Sequence, residues 1–176
     1  MKDIYGFITV RTESSRLPNK CFLPLGEKSV IESVISRCLH YKINPIVCTT
    51  ISSTDDPIEE LSNKLKVKVF RGSVKNKMKR WLNCSEFYGI DDFHTIDADD
   101  PFFDSNLIFK SMEIRRKSDL DFVKPSIYSS SGGGSLGYSI KTSYLSSIIK
   151  NTDDLFDSEM INNFIESNKY NSSAQM

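Results

Sequence analysis

The chain is poor in the residues that build metal clusters or covalent staples. It has two histidines, and its four cysteines (Cys21, Cys38, Cys48 and Cys84) form no C-x-x-C pair. A zinc site or a disulfide framework is therefore not expected, and reduced thiols are. No apolar run approaches the roughly 20 residues that span a bilayer, and the N-terminus enters a strand directly, without the pattern of a secretory signal. The sequence thus reads as cytoplasmic, with no membrane partner. An excess of charge of either sign is also lacking: 23 basic and 23 acidic residues cancel. That balance argues against a general nucleic-acid coat. What remains is an ordinary globular composition, 39% hydrophobic and 26% charged over 176 residues, which suits one domain with a proper core.

Apolar, β-branched runs alternate with helical patterns, as in an α/β fold with a doubly wound, mostly parallel sheet. Strands are expected at Ile4 to Val10, Pro45 to Thr50, Val67 to Phe70, Phe93 to Ile96, Leu120 to Val123 and Leu136 to Ile140. Ser29 is placed to cap a helix with Val30, Ile31, Val34, Ile35, Cys38 and Leu39 as its apolar stripe. Asp56 reads as the cap of a second helix, with Pro57 at its first position. A third carries Met78, Trp81, Leu82 and Tyr88 and ends at Gly89; a fourth starts at Asp104 and turns Leu107, Ile108 and Met112 inward. Two further helices follow the last strand. Residues 1–168 read as one domain and 169–176 as a polar tail. The glycine- and serine-rich segment Ser129 to Ser135 reads as a flexible loop, either a connector or a lid.

In such sheets ligands bind beyond the carboxyl ends of the strands, near the topological switch point. The loops Arg11 to Lys20, Thr49 to Asp56 and Asp97 to Asp104 are expected to meet there. The first places Arg11, Arg16 and Lys20 within ten residues of a strand end. Arginine offers a planar fork and lysine a compact charge, a combination suited to the roughly four negative charges of a nucleoside triphosphate. In the third, Asp97 and Asp99 are two apart, so in extended chain they face one way and can share a hard cation. Magnesium usually takes one or two protein carboxylates. The run from Lys64 to Arg80 holds eight basic residues and no acidic one. Its apolar residues interleave at core spacing, so it reads as a solvated helix face rather than a nucleic-acid surface. His94 reads as a satisfied core residue, His40 as a complement to a helix end, and Trp81 and Tyr88 as core.

The pattern Arg-x-x-Ser-x-Arg-Leu-Pro-x-Lys, filled by Arg11, Ser14, Arg16, Leu17, Pro18 and Lys20, resembles the signature of the CMP-sugar synthetase (cytidylyltransferase) family. That family includes the 3-deoxy-manno-octulosonate and acylneuraminate cytidylyltransferases and the spore-coat polysaccharide branch. Thr49-Thr50 with Asp55 to Glu60, Val69 to Ser73, and Asp97 to Pro101 extend the likeness toward the spore-coat branch over about the first 105 residues. The resemblance implies a Rossmann-like, GT-A-like nucleotidyltransferase that transfers CMP from CTP to a sugar-acid-like acceptor for surface-glycan synthesis, with Mg2+ as cofactor. It implies that Arg11 and Lys20 hold the triphosphate, that Ser14 completes the cradle, and that Arg16 binds or braces. It sets Thr49 and Arg71 beside the nucleotide and makes Asp99 the metal ligand, with Asp97 and Asp100 as accessories. The family's second metal carboxylate has its candidates here in Asp154, Asp157 and Glu159, with Asp157 in a D-x-E segment loosely like that of the spore-coat branch; a capped, solvated surface helix is the other reading of these residues. A homodimer is compatible with the resemblance. Lys79, and the stretch Leu136 to Ser139, depart from the branch by lacking acidic residues. Alternative readings are therefore an inactive or reduced homologue that binds nucleotide as a sensor or subunit, or a transferase using another nucleoside triphosphate.

Overall fold

The computed structural model describes residues 3–14, 16–124 and 137–149, together with the strand at Ser173–Gln175. The loop read at Ser129 to Ser135, the last predicted helix, and Asp154, Asp157 and Glu159 lie outside the described residues. The strands are β1 (Tyr5–Thr9), β2 (Pro24–Leu25), β3 (Lys28–Ser29), β4 (Asn44–Thr50), β5 (Lys68–Gly72), β6 (Asp92–Asp97), β7 (Phe122–Lys124), β8 (Ser139–Lys141) and β9 (Ser173–Gln175). The helices are α1 (Val30–His40), α2 (Asp56–Lys64), α3 (Lys77–Tyr88), α4 (Ser105–Lys117) and α5 (Thr142–Ile149).

Seven strands form one sheet in the order β5-β4-β1-β6-β8-β7-β9. β5, β4, β1 and β6 run parallel, and β8 pairs antiparallel with both β6 and β7. β9 lies parallel to β7, so part of the segment read as a polar tail extends the sheet. The alternation of side chains along each strand builds two cores. Ile8, Val47 and Ile96 face one way, onto Ile31, Val34 and Ile35 of α1, Ile58 of α2 and Ile108 and Met112 of α4. Phe7, Ile46 and Phe93 face the other, onto Met78, Trp81 and Cys84 of α3 and Leu145 of α5. Helices on both faces of a mostly parallel sheet define the doubly wound α/β architecture.

Local chemistry explains most element ends. Ser29 and Glu32 form a reciprocal capping box at the start of α1. Gly89 ends α3 in the left-handed conformation, and the Asp104 side chain accepts from Asn106 N–H at the start of α4. Leu39, expected on the inner stripe of α1, is exposed at its end, and Leu107 is only half-buried. The short hairpin β2–β3, turning at Gly26 with φ +64°, was not expected. One cap also differs. The N-cap of α2 is Asp55, with Asp56 as the first helical residue, and the Asp55 side chain makes no capping bond. It is committed to the strand ends instead, as described below.

His94 is buried, its Nδ1 2.8 Å from Ser139 Oγ, which is 2.7 Å from Ser111 Oγ. This network ties β6 to β8 and α4, in keeping with a satisfied core histidine. Beside it, Gly137 has φ +62°, and a Cβ there would lie 1.9 Å from the Thr95 carbonyl oxygen. Gly137→Ala is therefore expected to destabilise the fold by more than about 2 kcal/mol, read as a lower denaturant midpoint. An unchanged midpoint would contradict this account of the β6–β8 junction.

Candidate functional site

β1 and β6 are neighbours whose chains depart to opposite sides of the sheet: β1 leads toward β4 and β5, and β6 toward β8. Thr9 and Asp97 are register partners at the carboxyl end of this pair. Above them opens a cleft of about 650 Å³, within the roughly 300–1,000 Å³ usual for small-molecule sites. Arg11, Ser14, Arg16 and Lys20 line it from the β1 loop, and Asp97, Ala98 and Asp99 from the end of β6. Val74, Lys75, Lys77 and Arg80, from the start of α3 and the loop before it, form the remaining wall. Six cations and two carboxylates thus converge on one space.

The β1 loop is held in shape from below. Asn19 N–H and Ser14 N–H both donate to the Thr12 carbonyl, at 2.9 and 3.0 Å, and Asn19 takes a left-handed φ of 57°. Thr12 N–H and Oγ1–H donate to Asp55 Oδ1 at 2.8 and 2.7 Å. Asp55 Oδ2 accepts from the hydroxyls of Thr49 (3.0 Å) and Thr50 and from Thr50 N–H (3.2 Å). Burial by itself would raise this carboxyl. The bonds from Thr12 N–H and the Thr50, Thr12 and Thr49 hydroxyls outweigh it and hold the carboxyl below the ordinary aspartate value. Asp55 therefore locks the loop to the end of β4.

Of the residues expected at the site, Arg11, Ser14, Arg16, Lys20, Asp97 and Asp99 are brought together in the cleft. Lys20 Nζ forms an ion pair with Asp99 Oδ2, linking the two loops directly. Asp100 Oδ1 accepts from Phe102 N–H at 3.3 Å, the posture of a turn former. Thr49 is fully buried on Asp55 and does not line the cleft. Arg71 is turned away as well. Its guanidinium donates to the Thr50 and Ser52 carbonyls at 2.9 and 2.6 Å, and pairs with Asp56 at 2.6 Å and Glu59 at 2.7 Å. Hydrogen bonds to Glu59 and Asp56 raise its pKa, as expected of a cation fully engaged in fixing the start of α2. The expected meeting of three loops is thus altered: the Thr49–Asp56 loop supports the site from beneath, and the β5–α3 loop takes its place in the wall.

Arg80 is the residue that sequence reasoning missed. The solvated-face reading of the basic run fails here, because Arg80 is 2% exposed and belongs to the cleft floor. A signal was present: Lys77, Arg80, Trp81 and Cys84 follow the i, i+3, i+4, i+7 spacing of a single helix face. Trp81, as expected, is core, with its Nε1–H donating to Thr9 Oγ1 at 2.9 Å.

The sheet order and the basic cleft at its switch point define an α/β fold of nucleotidyltransferase type. The cytidylyltransferase family model matches residues 6–172, and the chain belongs to that family. An uncharacterised protein of Methanocaldococcus jannaschii, MJ1063, is 41% identical over 122 residues, which cover 68% of this chain and 50% of the relative. The spore coat polysaccharide biosynthesis protein SpsF of Bacillus subtilis is 29% identical over 114 residues, covering 61% and 48%. The chain thus spans about half the length of these curated relatives. Two solved structures share the fold. A cytidylyltransferase from Leptospira borgpetersenii gives a TM-score of 0.86 at 24% identity, covering 99% of this chain and 75% of that one. CMP:2-keto-3-deoxy-manno-octonic acid synthetase complexed with CTP gives 0.76 at 13% identity, covering 99% and 90%.

Among the described residues no helix is long and apolar enough to cross a membrane, and no group of three or more His, Cys, Asp or Glu side chains is set to hold a metal.

Proposed function

We propose that this chain binds CTP in the β1/β6 cleft and transfers CMP to a hydroxylated acceptor of the sugar-acid class, releasing pyrophosphate, in the synthesis of surface-glycan precursors. The observation that carries this reading is the convergence of Arg11, Ser14, Arg16 and Lys20 with Asp97 and Asp99 around one cleft. Family membership supports the nucleotide, and the likeness to SpsF supports the glycan setting.

In the proposed reaction the acceptor oxygen bonds to the α-phosphorus as the bond from that phosphorus to the bridging oxygen breaks. The bridging electron pair leaves with pyrophosphate, and the hydroxyl proton passes to solvent. Arg11 and Lys20 hold the triphosphate and stabilise charge as it collects on the leaving group. Ser14 adds a hydrogen-bond donor, and Arg16 either joins it or braces the loop. Two cleft carboxylates, without a third ligand among the described residues, fit a cation that completes its shell with phosphate and water oxygens. Asp99, with Asp97 beside it, would hold Mg2+, whose charge when bound offsets that of the phosphates.

Arg11→Ala and Lys20→Ala are each expected to weaken CTP binding about 10- to 100-fold, as loss of a charge-assisted contact worth roughly 1.5–3 kcal/mol implies. Titration calorimetry against CTP, UTP, GTP and ATP measures both the loss and the base preference. Wild-type affinity for CTP in both variants would sink the reading, and an equal or stronger response to another triphosphate would reassign the base.

A further inference from the structure

Arg80 differs from the other deeply buried arginine of the fold. Arg115 is 6% exposed and pairs at 2.6 Å with buried Asp92, so its charge is answered within the protein. Arg80 is 2% exposed, and among the described residues it has no carboxylate partner. Nη1 donates to the Ser73 carbonyl at 2.7 Å, and Nε, like that of Arg115, has no partner. Burying a cation without a counterion is costly. Here burial lowers the guanidinium's pKa from its ordinary value; the positive charge of Arg11 adds to this, while Asp55, which Arg80 does not contact, acts the other way. Arg11 and Arg80 line the same cleft, so an anion bound there would answer both charges.

We propose that Arg80 is a ligand-binding residue, a guanidinium on the cleft floor that takes phosphoryl oxygens of the bound nucleotide's triphosphate opposite Arg11. This rests on the reading that the cleft receives a nucleoside triphosphate. A phosphoryl group is favoured over a base carbonyl because the same wall carries Lys75 and Lys77 and no acidic residue. The stem of Arg80 packs on Gly72, where an added Cβ would meet Cγ at 3.0 Å, so the guanidinium is held in place by its own helix and strand.

The test uses Arg80→Met, which keeps the stem, and Arg80→Gln, which keeps a donor for the Ser73 carbonyl. Probes are inorganic tripolyphosphate and CTP by calorimetry and cytidine by ligand-detected NMR. Both variants should lose at least tenfold in affinity for tripolyphosphate and CTP and bind cytidine as the wild type does. Their melting temperatures without ligand should equal or exceed the wild-type value, since an unpaired buried charge has been removed. Unchanged tripolyphosphate binding in a folded variant overturns the proposal. So does selective loss of cytidine binding, which would make Arg80 a reader of the base, or a drop in both ligand-free melting temperatures, which would make it structural. If the wild type binds tripolyphosphate but not CTP, and the variants lose it, the choice of nucleotide falls while the role of Arg80 stands.

Discussion

Asp99→Asn is expected to reduce nucleotidyl transfer by about 10²–10³-fold, the usual cost of removing one well-placed electrostatic group from a reacting centre. The substitution keeps the size of the side chain and its place on the turn after β6, so the fold has no reason to change. Asp99 is 50% exposed, and its described ion pair, with Lys20, is at the surface of the cleft. Such exposed pairs contribute little to stability. The variant should therefore melt close to the wild type and still bind CTP, because Arg11 and Lys20 remain. What it should lose is the response to Mg2+: wild-type CTP affinity is expected to rise when the ion is added and to fall with chelator, and the variant's to stay flat. Pyrophosphate release with a panel of sugar acids, alongside calorimetry with and without Mg2+, measures both effects. A variant with wild-type turnover and wild-type Mg2+ response would remove Asp99 from the metal site.

Asp55→Ala should act in the opposite manner, on stability first and on the ligand second. Its carboxylate accepts from three threonine hydroxyls and two backbone N–H groups at the junction of the β1 loop, β4 and α2. Truncation strands those donors in a buried position. Breaking such a network costs on the order of 3–5 kcal/mol, which in a protein of this size lowers the melting temperature by roughly 6–20 °C. The freed loop should also bind CTP more weakly, since Arg11 and Lys20 would lose their preset positions. The pH dependence has a definite sign. The folded carboxyl sits below its unfolded value, so near that range the unfolded state binds more protons and stability rises with pH. The full advantage of wild type over variant holds above the unfolded value of about 3.9 and disappears as pH falls through the lower folded value. Equal stability of the two proteins at neutral pH would refute the role given to Asp55, and a gap that widened in acid would refute the sign.

These two aspartates also show what could be read in the residues beforehand. The place of Asp99 in the cleft was legible because it follows a strand end, stands two from Asp97 and comes just ahead of Asp100-Pro101, all local facts. Ser29, Gly89 and Asp104 were legible for the same reason: caps work over three or four residues. Asp55 was not. Next to Asp56-Pro57 it looks like one more helix-starting acid, and only the approach of Thr12, 43 positions away, reveals its use. Arg71 and Arg80 reverse in the same way. Both sit in a run of basic residues, and both orientations depend on tertiary partners: Glu59 and Asp56 draw one guanidinium off the cleft, and the packing of α3 on β5, with the stem of Arg80 against Gly72, sets the other in its wall. The doubly wound sheet was legible from alternation alone. The strand at β8 was legible too, but its antiparallel direction was not, since apolar periodicity carries no direction; the two-residue strands of the β2–β3 hairpin carry too little periodicity to read.

The ion pair between Lys20 and Asp99 bears on selection among ligands. A lone anion that captures Lys20 leaves Asp99 without its counterion, and a lone cation that captures Asp99 strands Lys20. Only a ligand bearing both signs replaces each partner in a single exchange. On the proposed reading, in which Lys20 holds phosphate and Asp99 the ion, a metal–phosphate complex would therefore answer both charges of the pair at once.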